Sequence, residues 1–553
     1  MAEPATGAER IVATLDAIGV TVAFGLPGVH NLSIWSALSG STIRLIGVRH
    51  EQTAVYAADG YARTTGRIGV ALVTTGPGAA NTLAATGEAW ASGSPAVVVA
   101  TDIPSGLRRP GAYRGVLHEN RDQEAMFAPV VKGARTAASA ADAAADLAAV
   151  ARLALRAPTG PAYLGVPTDF LSAAAPPADS PALDAEPGEI DMGALDAAVR
   201  LLDAAAAPLI LAGGGALRAG AGPEVGALAE RIAAPVALTY AAKGLLPPSH
   251  PCLLPATLHA PEVGAVWDGA DLVIAIGTDL DGMSTQNWAM PAPPRLLAIN
   301  VDPLDAAKNY EPDETLVGDA GAVAAELGER VAAKPGLESV RERVGEIGGR
   351  VRAAIAADEP GALAFLDAIG EIVPAGVPVL ADMCIPGYWL GGFHPAPGPR
   401  EFAYPVGWGT LGFAFPAALG AAAARDRAVC VCGDGGFLFA CGELATAAQE
   451  RLPVTAVIVD DGGYGMLRYD QSEAGTEAFG VDLATPDFVA LASAFGIPAR
   501  RVEGFGDDFR NELGACLDAS GPNVVVVGAR LKPPPNTSPR WYRRRTEQRL
   551  ESR

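Results

Sequence analysis

Two apolar runs that end in glycine-rich turns constrain this chain more than any other feature. A Val/Cys-rich run closes on Gly433-Asp434-Gly435-Gly436-Phe437, and a second apolar run leads into Asp460-Asp461-Gly462-Gly463-Tyr464-Gly465. Asp434 and Asp461 stand 27 positions apart. That interval fits strand, turn, helix, strand, which brings both strand ends to the carboxyl edge of a parallel sheet, where α/β folds place ligands. Two carboxylates and a glycine-rich backbone at such an edge suit a hard divalent ion holding a diphosphate, because Mg²⁺ takes few carboxylates plus phosphate oxygens. The competing reading is two unrelated strand-end turns.

The remaining composition suits such a fold. At 553 residues, the chain has room for about three or four domains, and with half its residues hydrophobic it can bury large cores. Alanine and glycine dominate the apolar count and aromatics are few, which suits tightly packed α/β layers. A net charge of −21 argues against general binding to nucleic acid or an anionic membrane. Arg540, Arg543, Arg544, Arg545, Arg549 and Arg553 cluster against that trend and read as a solvated tail. Glu3, Glu9 and Arg10 interrupt the N-terminus before a signal-peptide core forms, and no unbroken apolar stretch is long enough to span a bilayer. The expectation is a soluble, cytoplasmic protein. Six cysteines in so long a chain do not make a disulfide framework. Cys430 and Cys432 alternate on one strand and face one layer.

Three blocks follow from composition and period. In residues 1–172, a helical run (Arg10–Ile18) precedes β-like runs at Thr21–Gly25, Ile68–Thr74 and Ala96–Thr101. Ala173–Gly188, rich in Pro, Ala and Asp, reads as a linker. Residues 189–335 carry strands at Pro208–Ala212, Pro235–Leu238, Leu272–Ile276 and Arg295–Val301. The turn Gly213-Gly214-Gly215 and Gly220-x-Gly222 is dinucleotide-like only in part, since its spacing is not G-x-G-x-x-G. A charged helical connector (Gly336–Pro360) leads to residues 361–535, which hold the opening motif. Strand–helix alternation throughout predicts α/β architecture with three parallel-sheet domains.

The first block supplies Arg49-His50-Glu51-Gln52 and Ala57-Ala58-Asp59-Gly60-Tyr61-Ala62-Arg63. Glu51 begins a small-residue helix after the strand Leu45–Val48, so its carboxylate sits at a sheet edge. A glutamate there is ordinarily just favourable with the helix dipole. Together with Phe24-Gly25-Leu26-Pro27-Gly28, Gly76-Pro77-Gly78-Ala79-Ala80-Asn81, Gly409-Thr410-Leu411-Gly412-Phe413-Ala414-Phe415-Pro416 and the two aspartate turns, the chain resembles thiamine-diphosphate (ThDP) enzymes over nearly its whole length. The branch it resembles contains acetolactate synthase, benzoylformate decarboxylase and related 2-oxo acid decarboxylases.

The resemblance implies a pyrimidine-binding domain, a central Rossmann-like domain and a diphosphate-binding domain. It implies that Glu51 bonds the aminopyrimidine N1′, that Leu411 wedges the cofactor into its bent form, and that the Gly409 carbonyl takes the 4′-amino group. Pro27, Gly78, Asn81, Gly435, Gly436 and Tyr464 are the other implied cofactor contacts, and Asp434, Asp461 and the Gly463 carbonyl the implied Mg²⁺ ligands. Asp461 departs from the asparagine usual in the family and adds a negative charge beside the diphosphate. It also implies a homodimer or homotetramer, with the cofactor between the Glu51 domain of one subunit and the Asp434 domain of another.

The implied activity is decarboxylation of a 2-oxo acid, followed by carboligation as in acetolactate synthase (a transferase) or by aldehyde release (a lyase). Val29 stands where pyruvate decarboxylases keep an acidic proton donor, and Met466 and Leu467 where an acid would follow the metal site, which favours carboligation. The resemblance to acetolactate synthase has its own departures. Asp382 is followed by Met383-Cys384-Ile385-Pro386 rather than a Gln-His pair, and Asp470 replaces a tryptophan. Asp279-Leu280-Asp281-Gly282-Met283 replaces the flavin signature, which argues against FAD. Val29-His30 and Leu117-His118-Glu119 also resemble decarboxylases of guanidino 2-oxo acids. His30 and His118 are thus candidate catalytic groups, against the ordinary structural role of a lone histidine, and Glu119 faces either a cationic substrate or Arg121. The rival classes are a nicotinamide or flavin oxidoreductase on the Gly213–Gly222 turn and a non-catalytic paralogue, which retention of Glu51 and Asp434 opposes.

Overall fold

Long apolar strands alternate with helices to give three sheets, all parallel, in the computed structural model, which describes residues 5–109, 111–176 and 191–534. Residues 177–188 of the expected linker and the arginine-rich tail lie outside the described residues. The first sheet contains β1 (Val22–Gly25), β2 (Arg44–Gly47), β3 (Gly69–Val73), β4 (Ala96–Asp102), β5 (Ala134–Thr136) and β6 (Ala162–Pro167), in the order β2-β1-β3-β4-β6-β5. The second contains β7 (Pro208–Ala212), β8 (Val236–Leu238), β9 (Leu272–Ile276), β10 (Leu296–Asn300) and β11 (Glu314–Val317), in the order β11-β10-β9-β7-β8. The third contains β12 (Val379–Ala381), β13 (Phe402–Ala403), β14 (Ala428–Gly433), β15 (Val454–Asp460), β16 (Ala499–Glu503) and β17 (Asn523–Gly528), in the order β13-β12-β14-β15-β17-β16.

Strand composition follows position. The interior strands β4, β14, β15 and β17 are near-continuous Val, Ile, Ala and Cys because helices cover both sheet faces. The edge strand β16 (ARRVE) buries only Val502. Cys430 and Cys432 pack into one core layer, as their alternation predicts, and all six cysteines are free. No helix among the described residues is long and apolar enough to cross a membrane.

Seven helices matter for the site: α1 (Glu51–Thr65), α2 (Leu337–Asp358), α3 (Pro360–Ile372), α4 (Ile385–Phe393), α5 (Ala414–Ala422), α6 (Asp434–Leu438) and α7 (Gly465–Glu473). All nine residues of α5 are buried, as an all-round apolar helix must be. Helix α5 lies antiparallel against α1, and their backbones touch. Gly60 abuts the Ala417 backbone and Gly420 abuts the Ala57 backbone, so closely that any Cβ at either glycine would collide.

In each sheet the chain leaves its first strand in one direction and returns on the other side. The resulting switch points lie between β1 and β3, β7 and β9, and β12 and β14. Crevices for ligands open at such points, outside the carboxyl ends of the strands. The middle crevice is filled by the protein itself. Gly213 and Gly215 donate backbone hydrogen bonds to Ile276 and Gly277 at 2.8 Å, and a Cβ at any of these three glycines would strike the facing loop. Close packing of two loops thus accounts for the Gly213–Gly215 run.

Gly420→Ala tests the helix contact, because the sign of its effect depends on it. In an open helix the change would stabilise by roughly 0.5–1 kcal/mol. Against the Ala57 backbone it should instead destabilise by about 1–3 kcal/mol, the usual cost of overpacking, measured by denaturant unfolding. A neutral or stabilising result would contradict the antiparallel contact.

Candidate active site

The crevice of the first sheet gathers the residues around Glu51. The chain leaves β2, His50 caps α1 by accepting from Gln52 N, and Glu51 opens the helix with its side chain buried. The approach is fixed from the third block. The Glu443 carboxylate, itself buried, accepts from Arg49 N at 3.0 and 3.1 Å and from His50 N at 3.0 Å. Asn81 Nδ2 donates to Glu51 Oε2 at 3.0 Å, so Asn81 holds the glutamate itself. The other oxygen, Oε1, faces the Gly78 turn, 3.4 Å from where a Cβ would stand. Pro27 and Gly28 follow β1 on the same crevice, with Gly28 against Thr74.

His30 and His118 meet at this crevice. Their rings lie edge to face, 5.3 Å between centroids. His30 Nδ1 hydrogen-bonds Thr75 Oγ1 at 2.7 Å. Burial, with the neighbouring His118 adding to it, pushes the His30 pKa down, which favours a neutral ring. His118 is exposed and has a φ of 68°, with its backbone against Gly76. Glu119 does not reach Arg121 in any ion pair. Its carboxylate accepts from Arg114 N and Val116 N, both at 2.9 Å, and folds the loop that presents His118.

The crevice of the third sheet gathers the second set. β14 and β15 pair in register, Gly433 opposite Val459, so Asp434 and Asp461 emerge side by side, as their spacing predicts. Asp434 accepts from Gly435 N at 2.8 Å and Gly462 N at 3.0 Å. Burial, with Asp461 and Asp460 adding to it, raises its pKa to about 6. Burial also raises Asp461, against the lowering effect of Arg468 and Arg530. Asp461 Oδ1 is buried without a hydrogen-bond partner, and the nearest cation is Arg468 Nη1 at 3.8 Å. Two crowded carboxylates with an orphaned oxygen fit a hard divalent cation, and the Gly463 carbonyl lies on the same turn. The Tyr464 ring covers Gly435.

Asp382, just past β12, is a site residue to which the sequence assigned no role beyond preceding Met383-Cys384. It is buried and accepts from Gly412 N at 2.9 Å, Phe413 N at 3.4 Å and Met383 N at 2.9 Å, and it lies against Gly436. It therefore ties the Gly409–Leu411 loop to the Asp434 turn. Its position immediately after a short apolar strand is the one signal that could have found it. Burial raises its pKa to about 6. A carboxyl raised by folding stabilises the fold fully below its unfolded value and loses that contribution as pH rises through its folded value. The cofactor-free protein should therefore lose stability between about pH 4 and 6, and Asp382→Asn should flatten this slope in urea midpoints taken across that range. An unchanged slope would remove Asp382 as its source.

The two sets lie at opposite ends of the antiparallel helix pair. Glu51 begins α1, whereas the Gly409–Phe413 loop sits by its last turn. Thr410 Oγ1 donates to Glu88 at 3.1 Å, Arg63 pairs with Glu88 at 3.0 Å, and the Arg63 guanidinium lies 4.7 Å from the Phe413 ring centroid. The twelve residues from Glu51 to Arg63 span about 18 Å at 1.5 Å per residue. Tyr56, midway along α1, accepts from Gln52 Nε2 at 3.1 Å, and its hydroxyl also bonds Thr410. The loop thus lies along the helix from its middle to its last turn, while Glu51 stands at its start.

Residues 5–126 match the N-terminal TPP binding domain of thiamine pyrophosphate enzymes, 195–327 the central domain and 384–527 the C-terminal TPP binding domain. A probable 2-ketoarginine decarboxylase of Pseudomonas aeruginosa is 34% identical over 94% of both chains. An acetolactate synthase large subunit of Corynebacterium glutamicum is 33% identical over 90% of this chain and 83% of its own, and a probable one of Methanocaldococcus jannaschii is 30% identical over 94% and 91%. The chain belongs to the thiamine pyrophosphate enzymes.

Proposed function

We propose that the protein is a Mg²⁺-dependent ThDP decarboxylase that releases an aldehyde from a 2-oxo acid with a cationic, guanidino-type side chain. The carrying observation is the His30–His118 pair beside Glu51. Aldehyde release requires a proton delivered to carbon and carboligation does not, and an imidazole is a group able to carry one. The identity to a probable 2-ketoarginine decarboxylase supports the same choice over carboligation, the outcome the sequence favours. For the side chain, α7 offers Asp470, whose carboxyl is raised by burial and by Glu473. Tyr388 of α4 feels the Asp470 charge, and Ile385 of the same helix packs by Gly465 beside the metal turn.

Bound ThDP supplies the electron sink for loss of CO₂. The chain supplies the rest. Glu51 holds the pyrimidine N1′ and manages its proton, and Asn81 keeps the carboxylate aimed at the Gly78 turn. Leu411 and the Gly409 carbonyl would hold the cofactor's pyrimidine end, with Asp382 anchoring their loop. Asp434, Asp461 and the Gly463 carbonyl hold Mg²⁺, while Gly435, Gly436 and Tyr464 wall the diphosphate. Pro27 lines the pyrimidine side, and His118 handles the proton at the reacting carbon.

The separation of Glu51 from Leu411 supports a working unit of at least two copies, each lending one half-site to the other. Exposed apolar side chains flank both halves: Val29 and Leu117 by the histidines, and Trp408, Phe439 and Leu467 by the Leu411 and Asp434 turns. Such surfaces suit burial against a second copy.

Mass spectrometry of products over a panel of 2-oxo acids tests the reading. The expected result is CO₂ and one aldehyde, fastest from the guanidino acid. A two-carbonyl addition product as the main species would overturn it. Glu51→Gln should slow turnover by at least about 10²-fold while ThDP binding stays intact, since an amide still reaches N1′. Asp470→Asn should lower kcat/KM for the guanidino acid by about tenfold, or ~1.4 kcal/mol, and leave an apolar 2-oxo acid unaffected. Equal losses on both would exclude Asp470 as the side-chain contact.

A further inference from the structure

A pocket partly open to solvent lies between the β8 edge of the central sheet and helices α2 and α3. It is a cavity of about 460 Å³, within the ~300–1,000 Å³ of small-molecule pockets. Leu246, Leu254, Val351, Ile355, Leu363 and Leu366 give it apolar walls. No Glu51, Leu411, Asp434 or Asp461 side chain lines it, and it does not reach the Gly213 turn.

Three buried polar side chains converge at one end, around the Gly392–His394 segment. Lys243 Nζ donates to the His394 carbonyl at 3.1 Å and the Gly392 carbonyl at 3.4 Å, which leaves one of its three protons unused. Both ring nitrogens of His394 and the Thr257 hydroxyl are buried without a hydrogen-bond partner. Thr257 N is bonded to the same Gly392 carbonyl, so the hydroxyl belongs to this cluster. Unpaired buried polar atoms are costly, and three such side chains lining one end of an apolar pocket point to a ligand that satisfies them. The charged groups at the rim are already matched. Arg352 pairs with Asp367 at 2.8 Å and Glu371 with Arg510 at 2.7 Å. Lys243 is the charge left over, so the complementary group is an anion.

We propose that this cavity binds a small monocarboxylate with an apolar tail, its carboxylate held by Lys243, His394 and Thr257. The site is separate from the catalytic reading and does not rest on it. Burial and the Lys243 charge push the His394 pKa down to about 3, so its ring is neutral and offers one N–H. Burial pushes Lys243 down to about 7, so at pH 8 it is mostly neutral in the empty cavity. A bound carboxylate favours the ammonium form, and binding takes up a proton.

Calorimetric titration of octanoate into the ThDP- and Mg²⁺-loaded protein, at pH 8 in two buffers of different ionisation enthalpy, tests this. Saturation at one octanoate per chain with net proton uptake is expected, with octanol and acetate at least tenfold weaker. Gly348→Leu should weaken octanoate at least tenfold at unchanged or raised Tm. A Cβ at 348 meets only Pro255, at 4.0 Å, so leucine fills the cavity without moving backbone. Lys243→Met should abolish both binding and proton uptake. Octanoate binding that survives Gly348→Leu would place it elsewhere, in the catalytic cleft for instance, and overturn the proposal. Equal affinity for octanol, or no saturable binding in the parent protein, would do the same.

Discussion

The antiparallel contact of α1 and α5 is the constraint on which the functional geometry rests. Two glycines, Gly60 and Gly420, let helical backbones from the first and third blocks touch. A buried charge cluster then fixes one end of the pair. Arg63 bridges Asp59 at 2.6 Å and Glu88 at 3.0 Å, and donates to the Tyr404 carbonyl at 3.1 Å. Removing one member would leave a buried charge uncompensated, the expensive case for an internal ion pair. At the other end, Glu443 clamps the backbone before Glu51. The helix pair therefore acts as a spacer of set length, and it holds the two half-sites apart within one chain.

The third-sheet crevice carries an electrostatic cost that makes sense only with a ligand. Asp382, Asp434 and Asp461 are all buried or half-buried, and all are raised by burial. A fold selected for stability alone would not place three carboxylates around one glycine turn. A cation offsets the charge of the metal-facing pair, whereas Asp382 is answered by the amides of Gly412 and Phe413. The strain lies where binding can relieve it, as expected of functional sites.

Much of this was legible in the sequence, for local reasons. Strand positions followed from apolar runs, the Asp434–Asp461 adjacency from the length of one β-α-β unit, and the start of α1 from the Glu51 motif. What was not legible depends on long-range packing. Nothing near Asn81 announces that its side chain bonds Glu51. Glu443 reads as an ordinary helix-start acid until the fold sets it against Arg49 and His50. The short strands β5, β12 and β13 carry too few residues for a period, and Asp382 shared their obscurity. The glycines of α1 and α5 read as helix-weakening until their close approach is seen.

The three sheets put one topology to different uses, and the difference follows from what fills each switch point. In the first and third sheets, the loops at the crevice part and present Glu51 and Asp434. In the central sheet, Gly213, Gly215 and Gly277 bring the loops into mutual contact and close the crevice. The loops of the central unit are thus packed on each other at the place where such crevices open. Its pocket lies off the β8 edge, where Gly244, at a φ of 85° and packed against the Gly398 backbone, turns the chain just after Lys243. The wall opposite belongs to α2 and α3, which join the central unit to the third block. A group bound there would touch both units at once, and helix α4 runs from that cavity at Phe393 to Ile385 beside the metal turn. The central unit is thus connected to the catalytic end through packed side chains, although its own crevice is shut.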